Sequence, residues 1–208
     1  MGRGGRGLLM HRDNRLLFGP LTALILLLGI PGLALLVPGY DPVRQTVSEI
    51  GEVGSPARIP FAAMLSVVAV CTLVFALALR SVAKQAGRSP AGAWLTAFMA
   101  ICAAGVGLFA FPHPLHNVFG IAELIGYQAP LVLALTWRGE PRLRTAVAIC
   151  GVMAVVVWIA LALNLTSLAR SGAIWETVGP VYGLVQRALF AAWFGWCALL
   201  GVQLWRRS

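Results

Sequence analysis

Charged residues are scarce in this chain. They account for 11% of its 208 residues and only seven of them are acidic, whereas hydrophobic residues account for 59%. Soluble globular proteins carry about 25% charged residues, so this composition excludes an ordinary soluble domain. Cysteine pairs with CxxC spacing are also missing, which argues against a disulfide or zinc motif. The four cysteines lie in four different apolar stretches and are expected to be buried thiols: Cys71, Cys102, Cys150 and Cys197.

Long apolar runs make up most of the sequence. Six runs contain few or no charged residues, and each has about the 20 residues that a helix needs to cross a hydrocarbon core of ~30 Å. The runs are continuously apolar and do not alternate, which excludes a transmembrane β-barrel. We therefore predict an all-α, polytopic membrane bundle of six transmembrane helices. The predicted spans are 16–38, 60–79, 92–112, 115–137, 145–166 and 182–204.

Arginine and lysine are divided unevenly between the two sides that six spans create. Twelve of the 16 fall in the tail 1–15, the links 80–88 and 138–144, and the C-terminus. This excess predicts that both termini are cytoplasmic, with a basic N-terminal tail 1–15 followed by a membrane domain 16–205. The basic residues cluster at span ends. The net charge of +9 therefore indicates contact with bilayer headgroups and no binding of nucleic acid.

The first outer link carries the most distinctive polar pattern. Gln45, Ser48, Glu49 and Glu52 recur at i, i+3, i+4 and i+7, so a short amphipathic helix would place them on one face. Two interpretations remain open. The link is either a solvated lid, or a re-entrant cap that places Gln45, Ser48 and Glu49 over His116.

Two helices carry charged residues at depth. His116, Glu123 and Tyr127 are spaced by seven and four, so they share one face of the fourth span. Glu123 lies about 10–13 Å below the outer end at 1.5 Å per residue, and Arg187 of the sixth span lies at about 10 Å. Because an unpaired charge at depth is costly, we predict a Glu123–Arg187 contact. Such a pair either fixes the helix register or forms part of a functional site.

Three segments resemble a known family. They are QTVSEIG after the first span, FPHPLH at the top of the third, and a Gln-Arg pair in the last. This combination resembles the bacterial and archaeal multipass family catalogued as domain of unknown function 998, in which Leu usually stands where this chain has Ile50. The resemblance covers roughly 16–205 and implies a six-span fold in a prokaryotic plasma membrane, but no activity. The positions that carry it are Gln45, Ser48, Glu49, Gly51, His116, Gln186 and Arg187.

These residues favour an outer-facing polar pocket that binds or processes a lipid or small molecule. Glu49 or Glu123 with His116 could perform acid–base chemistry, and Ser48 could act as a nucleophile. The catalytic candidates are therefore Glu49, His116 and Ser48. The ligand-binding candidates are Gln45, Glu123, Tyr127, Gln186 and Arg187, of which Arg187 could hold an anionic group.

No cofactor is predicted. His113, His116 and Glu49 are the residues that could bind zinc, although no HExxH or Cys/His cluster supports such a site. Haem with two axial histidines is disfavoured because His113 and His116 lie at one helix end.

Two other functions remain open at this stage. The same pocket could bind or transport a small ligand or proton, or the chain could be a structural subunit of a membrane complex with a purely structural Glu123–Arg187 pair. The reaction, the ligand and the oligomeric state are not determined by the sequence.

Overall fold

The structure, a computed structural model, describes residues 13–207. Most of the predicted basic tail, residues 1–12, lies outside this range. Every regular element between residues 13 and 207 is helical, and six helical segments are long and apolar enough to cross a membrane, which confirms the predicted all-α bundle. The six spans are Asn14–Ala34, Arg58–Gln85, Ala91–Leu108, Pro114–Thr136, Pro141–Leu168 and Gly172–Trp205.

Eight α-helices build these spans. Their bounds are α1 Phe18–Ala34, α2 Arg58–Gln85, α3 Ala91–Leu108, α4 Pro114–Gly126, α5 Ala129–Thr136, α6 Arg144–Leu165, α7 Gly172–Val178 and α8 Tyr182–Trp205. The second span continues to Gln85 rather than ending at 79. Its extra residues include Lys84 and Gln85, which are good helix formers, so the helix continues beyond the apolar run.

The spans form a closed ring in chain order. α1 packs against α2 and α8, α2 against α3, and α3 against both α4 and α5. The ring closes through α5 on α6 and α6 on α8. Lipid-facing side chains such as Leu24, Val155 and Ile159 are exposed on its outside, as the bilayer requires.

The fourth span is divided into two helices at Tyr127 and Gln128. Pro130 follows the division in the first turn of α5, where its missing N–H is tolerated. In a continuous helix residue 130 would donate to the Gly126 carbonyl, and proline cannot. Trp193 of α8 replaces that donor, because its indole Nε1 lies 3.3 Å from the Gly126 oxygen.

We call the half of the bundle that carries the first link the outer half, and the opposite half the inner half. The inner half is tightly packed around aromatic side chains. Trp137, Trp193 and Trp196 are fully buried, and the Trp196 Nε1 donates to the Cys150 Sγ at 3.3 Å. All four cysteines are buried free thiols, as predicted. This half therefore provides a rigid base on which the outer elements rest.

The first outer link folds back onto the bundle. It contains the predicted short helix, which is a 3-10 helix over Val47–Gly51. Val47 and Ile50 are buried beneath it, and the Val53 amide donates to the Phe111 carbonyl at 2.9 Å. The link is therefore docked on α1, α2 and α8, and its end is bonded to the corner between α3 and α4.

Candidate functional site

Ser48 and His116 form a hydrogen-bonded pair at the outer end of the bundle. The Ser48 Oγ lies 2.9 Å from the His116 Nε2, and the imidazole is only 5% exposed. The other ring nitrogen, Nδ1, lies 2.8 Å from the Phe109 carbonyl and 3.1 Å from the Val106 carbonyl. Carbonyl oxygens only accept, so Nδ1 carries a proton. In the neutral imidazole, Nε2 then accepts the Ser48 hydroxyl proton.

The chain positions this pair from three elements. His116 lies in the first turn of α4, and the carbonyls of Val106 and Phe109 come from the last turn of α3. Ser48 belongs to the 3-10 helix of the link. Because α-helical carbonyls at a C-terminus have no intrahelical donor, the end of α3 offers ready acceptors for the imidazole.

The Glu49 carboxylate does not reach His116. Its Oε1 accepts from the Thr46 amide at 3.2 Å and from the Thr46 hydroxyl at 2.9 Å. Glu49 therefore caps the 3-10 helix that it belongs to, in the way that a capping-box glutamate does. The Gln45 side chain is used similarly, because its Oε1 accepts from the Asp41 amide at 2.7 Å.

Of the two interpretations of the link, the structure does not match the cap that places Gln45, Ser48 and Glu49 together over His116. Only Ser48 bonds to His116. That interpretation assumed that all three residues belong to one α-helix. Gln45 lies before the 3-10 helix, and Ser48 and Glu49 lie within it. A 3-10 helix has three residues per turn, so the side chains point in different directions from those in an α-helix.

Gln186 and Arg187 of α8 hold the link in place. The Gln186 Oε1 accepts from the Val47 amide at 2.6 Å. Arg187 donates through Nη1 to the carbonyls of Pro42 at 2.9 Å and Gln45 at 3.1 Å, and through Nη2 to the Tyr40 hydroxyl. These two side chains therefore satisfy backbone N–H and C=O groups of the link that form no hydrogen bonds within its own turns.

Tyr40 completes this attachment. Its hydroxyl donates to the Thr46 carbonyl at 2.7 Å, and the Arg187 guanidinium lies over its ring, 5.6 Å from the centroid. Burial raises the pKa of Tyr40, and the hydrogen bond from Arg187 partly opposes that rise. The phenol therefore stays protonated at neutral pH and can donate while it accepts from arginine.

Gly183 allows the link to approach α8 closely. A Cβ at this position would collide with the backbone carbonyl oxygens of Gln45, Pro42 and Val43. Glycine is thus required here for space, one helical turn before Arg187, whose Nη1 also donates to the Gly183 carbonyl at 2.9 Å.

The predicted Glu123–Arg187 contact is wrong. Within residues 13–207 no ion pair closer than 4.0 Å joins these two side chains. The ion pairs that do form are Arg15–Asp13, Arg44–Asp41, Arg88–Glu140 and Arg142–Glu140. Arg187 is satisfied by carbonyl oxygens and Tyr40, and Glu123 accepts from the Tyr127 hydroxyl at 3.3 Å. The rise per residue predicts similar depths for the two residues, but α4 packs against α3 while α8 packs against α1 and α6.

A cleft of about 480 Å³ separates α4 from α6 and α8. Ser48 and His116 lie on its wall, together with Glu123, Tyr127 and Gln186, so the structure brings these five predicted site residues to one cavity. A cavity of this size is typical of small-molecule sites. The cleft exists because α5 packs on α6, whereas α4, beyond the division at Tyr127, packs on α3.

A second, smaller cavity lies beside Ser48. Its volume is about 40 Å³, and its polar lining comes from Ser48, Glu123 and Tyr127. A water molecule needs roughly 10–15 Å³ and two to four polar partners, so this cavity has room for one.

His113, His116 and Glu49 do not assemble a metal site. No group of three His, Cys, Asp or Glu side chains in the part of the chain that the structure describes could hold a metal ion. His113 is exposed and caps α4, because its Nδ1 accepts from the Leu115 amide at 3.1 Å. His116 and Glu49 are engaged by Ser48 and Thr46.

Four other polar residues of the cleft wall were not predicted as site residues: Asn117, Asn164, Ser167 and Tyr182. The Tyr182 hydroxyl of α8 lies 3.1 Å from the Asn164 Oδ1 and 2.9 Å from the Ser167 Oγ, near the end of α6. Their location at the outer ends of spans was the one sequence feature that could have indicated a site. Short polar residues are common at helix ends, however, because they bond to the helix backbone there.

The model of the family described as protein of unknown function (DUF998) matches residues 20–203. This chain belongs to the DUF998 family. The match confirms the resemblance seen in the sequence, and with the six apolar helices it makes this DUF998 chain a multipass membrane protein. Searches of curated proteins and of solved structures found no match.

The geometry explains why the DUF998-like segments belong together. Seven positions from three distant parts of the chain carry the resemblance, and they meet at the link. Four of them belong to the link: Gln45, Ser48, Glu49 and Gly51. His116 bonds to Ser48, and Gln186 and Arg187 bond to the link backbone. Gly51, for example, passes so close to the Phe61 ring that a Cβ would collide with it. Gln186 and Arg187 hold the link, and the link in turn presents Ser48 to His116.

Proposed function

We propose that this protein is a membrane-embedded serine esterase that cleaves the acyl ester of a membrane-derived molecule. The observation that carries the proposal is the Ser48–His116 hydrogen bond of 2.9 Å on the wall of a 480 Å³ cleft. A serine hydroxyl becomes an effective nucleophile when an adjacent base accepts its proton.

The orientation of the imidazole supports this role. In Ser-His-Asp enzymes a carboxylate accepts from Nδ1–H and fixes the tautomer in which Nε2 faces the serine. Here the carbonyls of Val106 and Phe109 take the place of the carboxylate. They fix the same tautomer and stabilise the imidazolium with partial charges only, so we expect a slower enzyme than one with a carboxylate.

The reaction that follows from this geometry has two steps. Ser48 Oγ attacks the ester carbonyl carbon while its proton moves to His116 Nε2. The C–O bond to the alcohol breaks, and the alcohol leaves with the proton from Nε2. Water then attacks the acyl–Ser48 ester, His116 takes one proton and returns it to Ser48, and the carboxylic acid is released. The 40 Å³ cavity beside Ser48 has room for that water.

The Gln186 side chain is our candidate donor to the developing oxyanion. Its Oε1 faces the Val47 amide, one residue before Ser48, which directs the Nε2 amide group away from the link. Within residues 13–207 that amide group has no hydrogen-bond partner, and Gln186 lines the cleft. Donors that are fixed before the reaction are the ones that lower the barrier most.

We also place the chain in a prokaryotic plasma membrane with both termini cytoplasmic. The excess of arginine and lysine in the tail and in the links 80–88 and 138–144 supports this orientation. The link and the cleft then face the outer side.

Labelling with a fluorophosphonate probe tests the proposal. We expect the wild-type protein in lipid nanodiscs to form an adduct at Ser48, located by peptide mass spectrometry. Ser48→Ala and His116→Ala should abolish the adduct. Ser66→Ala, in a serine that bonds within α2, should not change it.

Thermal unfolding of each variant shows whether it is folded. Folded wild-type protein that forms no adduct and hydrolyses no ester contradicts the esterase. The Ser48–His116 bond would then be a latch that fixes the link, and a structural or ligand-carrying role would replace catalysis.

A further inference from the structure

The cleft offers hydrogen bonds but no positive charge. Its polar lining residues are serine, histidine, asparagine, glutamate, tyrosine and glutamine, and no lysine or arginine among residues 13–207 lines it. Glu123 brings a carboxyl group, which carries no positive charge in either protonation state. An anionic headgroup bound here would lose its hydration without gaining a cation, and such desolvation is costly.

The two nearest arginines do not supply the missing charge. Arg187 is turned toward the link, where Nη1 and Nη2 bond to three carbonyls and to Tyr40. Arg170 lies beyond the rim and donates to the Ser167 carbonyl at 3.3 Å. The sequence-based expectation that Arg187 holds an anionic group therefore has no support in this geometry.

The unused polar groups match hydroxyl groups. Glu123, which lines the cleft, accepts from Tyr127 through Oε2, and its Oε1 remains as a further acceptor. The Gln186 amide supplies donors, and Asn117 supplies both donors and acceptors. A hydroxyl both donates and accepts, so a headgroup with hydroxyls can satisfy this set.

The apolar part of the cleft is suited to a hydrocarbon chain. Leu124, Leu161, Leu189 and Phe190 line it beside the polar residues. Rim residues such as Ile121 and Leu168 are exposed on the outside of the bundle, so the cleft opens laterally between α4 and α6. An acyl chain can then enter from the bilayer without crossing water.

We infer that the substrate is a lipid ester with an uncharged, hydroxyl-bearing headgroup, and that Glu123 selects it. This inference rests on the proposed esterase function. We therefore expect neutral lipids such as glyceryl esters to be preferred substrates over phosphate-bearing lipids.

Three probes with the same oleoyl chain test the inference: monooleoylglycerol, methyl oleate and oleoyl-lysophosphatidylglycerol. We expect kcat/KM of the wild-type protein in nanodiscs to be about tenfold higher for the glyceryl ester than for each of the others. Methyl oleate lacks the hydroxyl groups that would bond to Glu123, and the phosphate of the third probe would lose hydration without meeting a cation. Equal or faster hydrolysis of the phosphate-bearing ester overturns the inference.

Variants of Glu123 separate selection from a general loss of activity. Glu123→Leu should lower kcat/KM for monooleoylglycerol about tenfold more than it lowers that for methyl oleate. Glu123→Gln, which keeps a carbonyl acceptor, should recover part of the difference. A variant that slows both esters equally contradicts a selecting role.

Binding distinguishes failure of this inference from failure of the esterase. Ser48→Ala can be titrated with the three lipids, using quenching of tryptophan fluorescence by brominated oleoyl chains. Tighter binding of the glyceryl ester supports the ligand class even if no ester is hydrolysed. Equal or tighter binding of the phosphate-bearing lipid overturns the ligand class even if Ser48 is labelled.

Discussion

α4 and α5 are two halves of one span with different surroundings. α5 packs against both α3 and α6, and it continues into the tightly packed inner half of the bundle. α4 packs against α3, carries His116 and Glu123, and faces the cleft on its other side. Because the span is divided at Tyr127 and Gln128, its inner part can pack against α6 while its outer part leaves a cleft between α4 and α6.

Among the contacts of the outer half, we expect the docking of the link on α8 to be the most sensitive to substitution. Gly183→Ala places a Cβ against three link carbonyls, and overpacking against rigid atoms costs about 3 kcal/mol. We expect that loss in the free energy of unfolding, measured by SDS titration in mixed micelles, and the loss of labelling at Ser48.

Gly195→Ala is the matched control in the same helix. A Cβ there meets no atom within 4 Å, so the variant should be neutral or stabilised by up to ~1 kcal/mol. Equal stability of the two alanine variants would falsify the close docking of the link.

The junction between the two halves is tested by Trp193→Phe. Phenylalanine removes the N–H that serves the Gly126 carbonyl, and an unsatisfied buried acceptor costs about 2 kcal/mol. The same SDS titration measures this loss. Trp158→Phe, in a residue that is 49% exposed, should change stability by less than about 0.5 kcal/mol.

If Trp193→Phe and Trp158→Phe are equally stable, the indole does not support the division of the span, and the distinction between α4 and α5 needs another explanation.

Arg187→Lys weakens the outer half to a smaller extent. Lysine keeps the charge but loses the planar fork that reaches several carbonyls at once, so we expect a loss of about 1 kcal/mol. Proteolysis of the link should become faster. Arg206→Lys, in an exposed arginine of the C-terminal turn, is the control and should behave as wild type.

A double-mutant cycle of Arg187→Lys with Glu123→Gln sharpens the result. We expect a coupling energy below about 0.5 kcal/mol, as for residues that share no partner. A coupling energy several times larger would show that the two side chains interact, and it would contradict the separation of Glu123 from Arg187.

The smallest effect is expected for Glu49→Gln. Glutamine also completes a capping box, so stability should change by less than about 0.5 kcal/mol and fluorophosphonate labelling of Ser48 should persist. Loss of labelling in a folded Glu49→Gln protein would instead return Glu49 to the catalytic role expected from the sequence.

Much of the architecture was predictable from the sequence because the membrane constrains it strongly. A helix satisfies its own backbone hydrogen bonds, and the hydrocarbon thickness sets its length, so apolar runs identify the six spans. The site was only partly predictable. Ser48, His116, Glu123, Tyr127 and Gln186 do line one cavity, but Gln45 and Glu49 serve the backbone of the link.

The error about Glu123 and Arg187 has a simple physical origin. The rise per residue gives the depth of a side chain in the bilayer, but it gives no information on which helix lies beside it. Depth alone suggested a pair, and the ring order places α4 on α3 and α8 between α1 and α6.

By itself, the sequence determined six spans and a polar outer end, since these depend on local composition and on the thickness of the bilayer. The tertiary structure decided which polar groups meet. Helix order, the division of the fourth span and the docking of the link bring Ser48 to His116 and turn Arg187 toward carbonyls, because each of these contacts joins residues far apart in the chain.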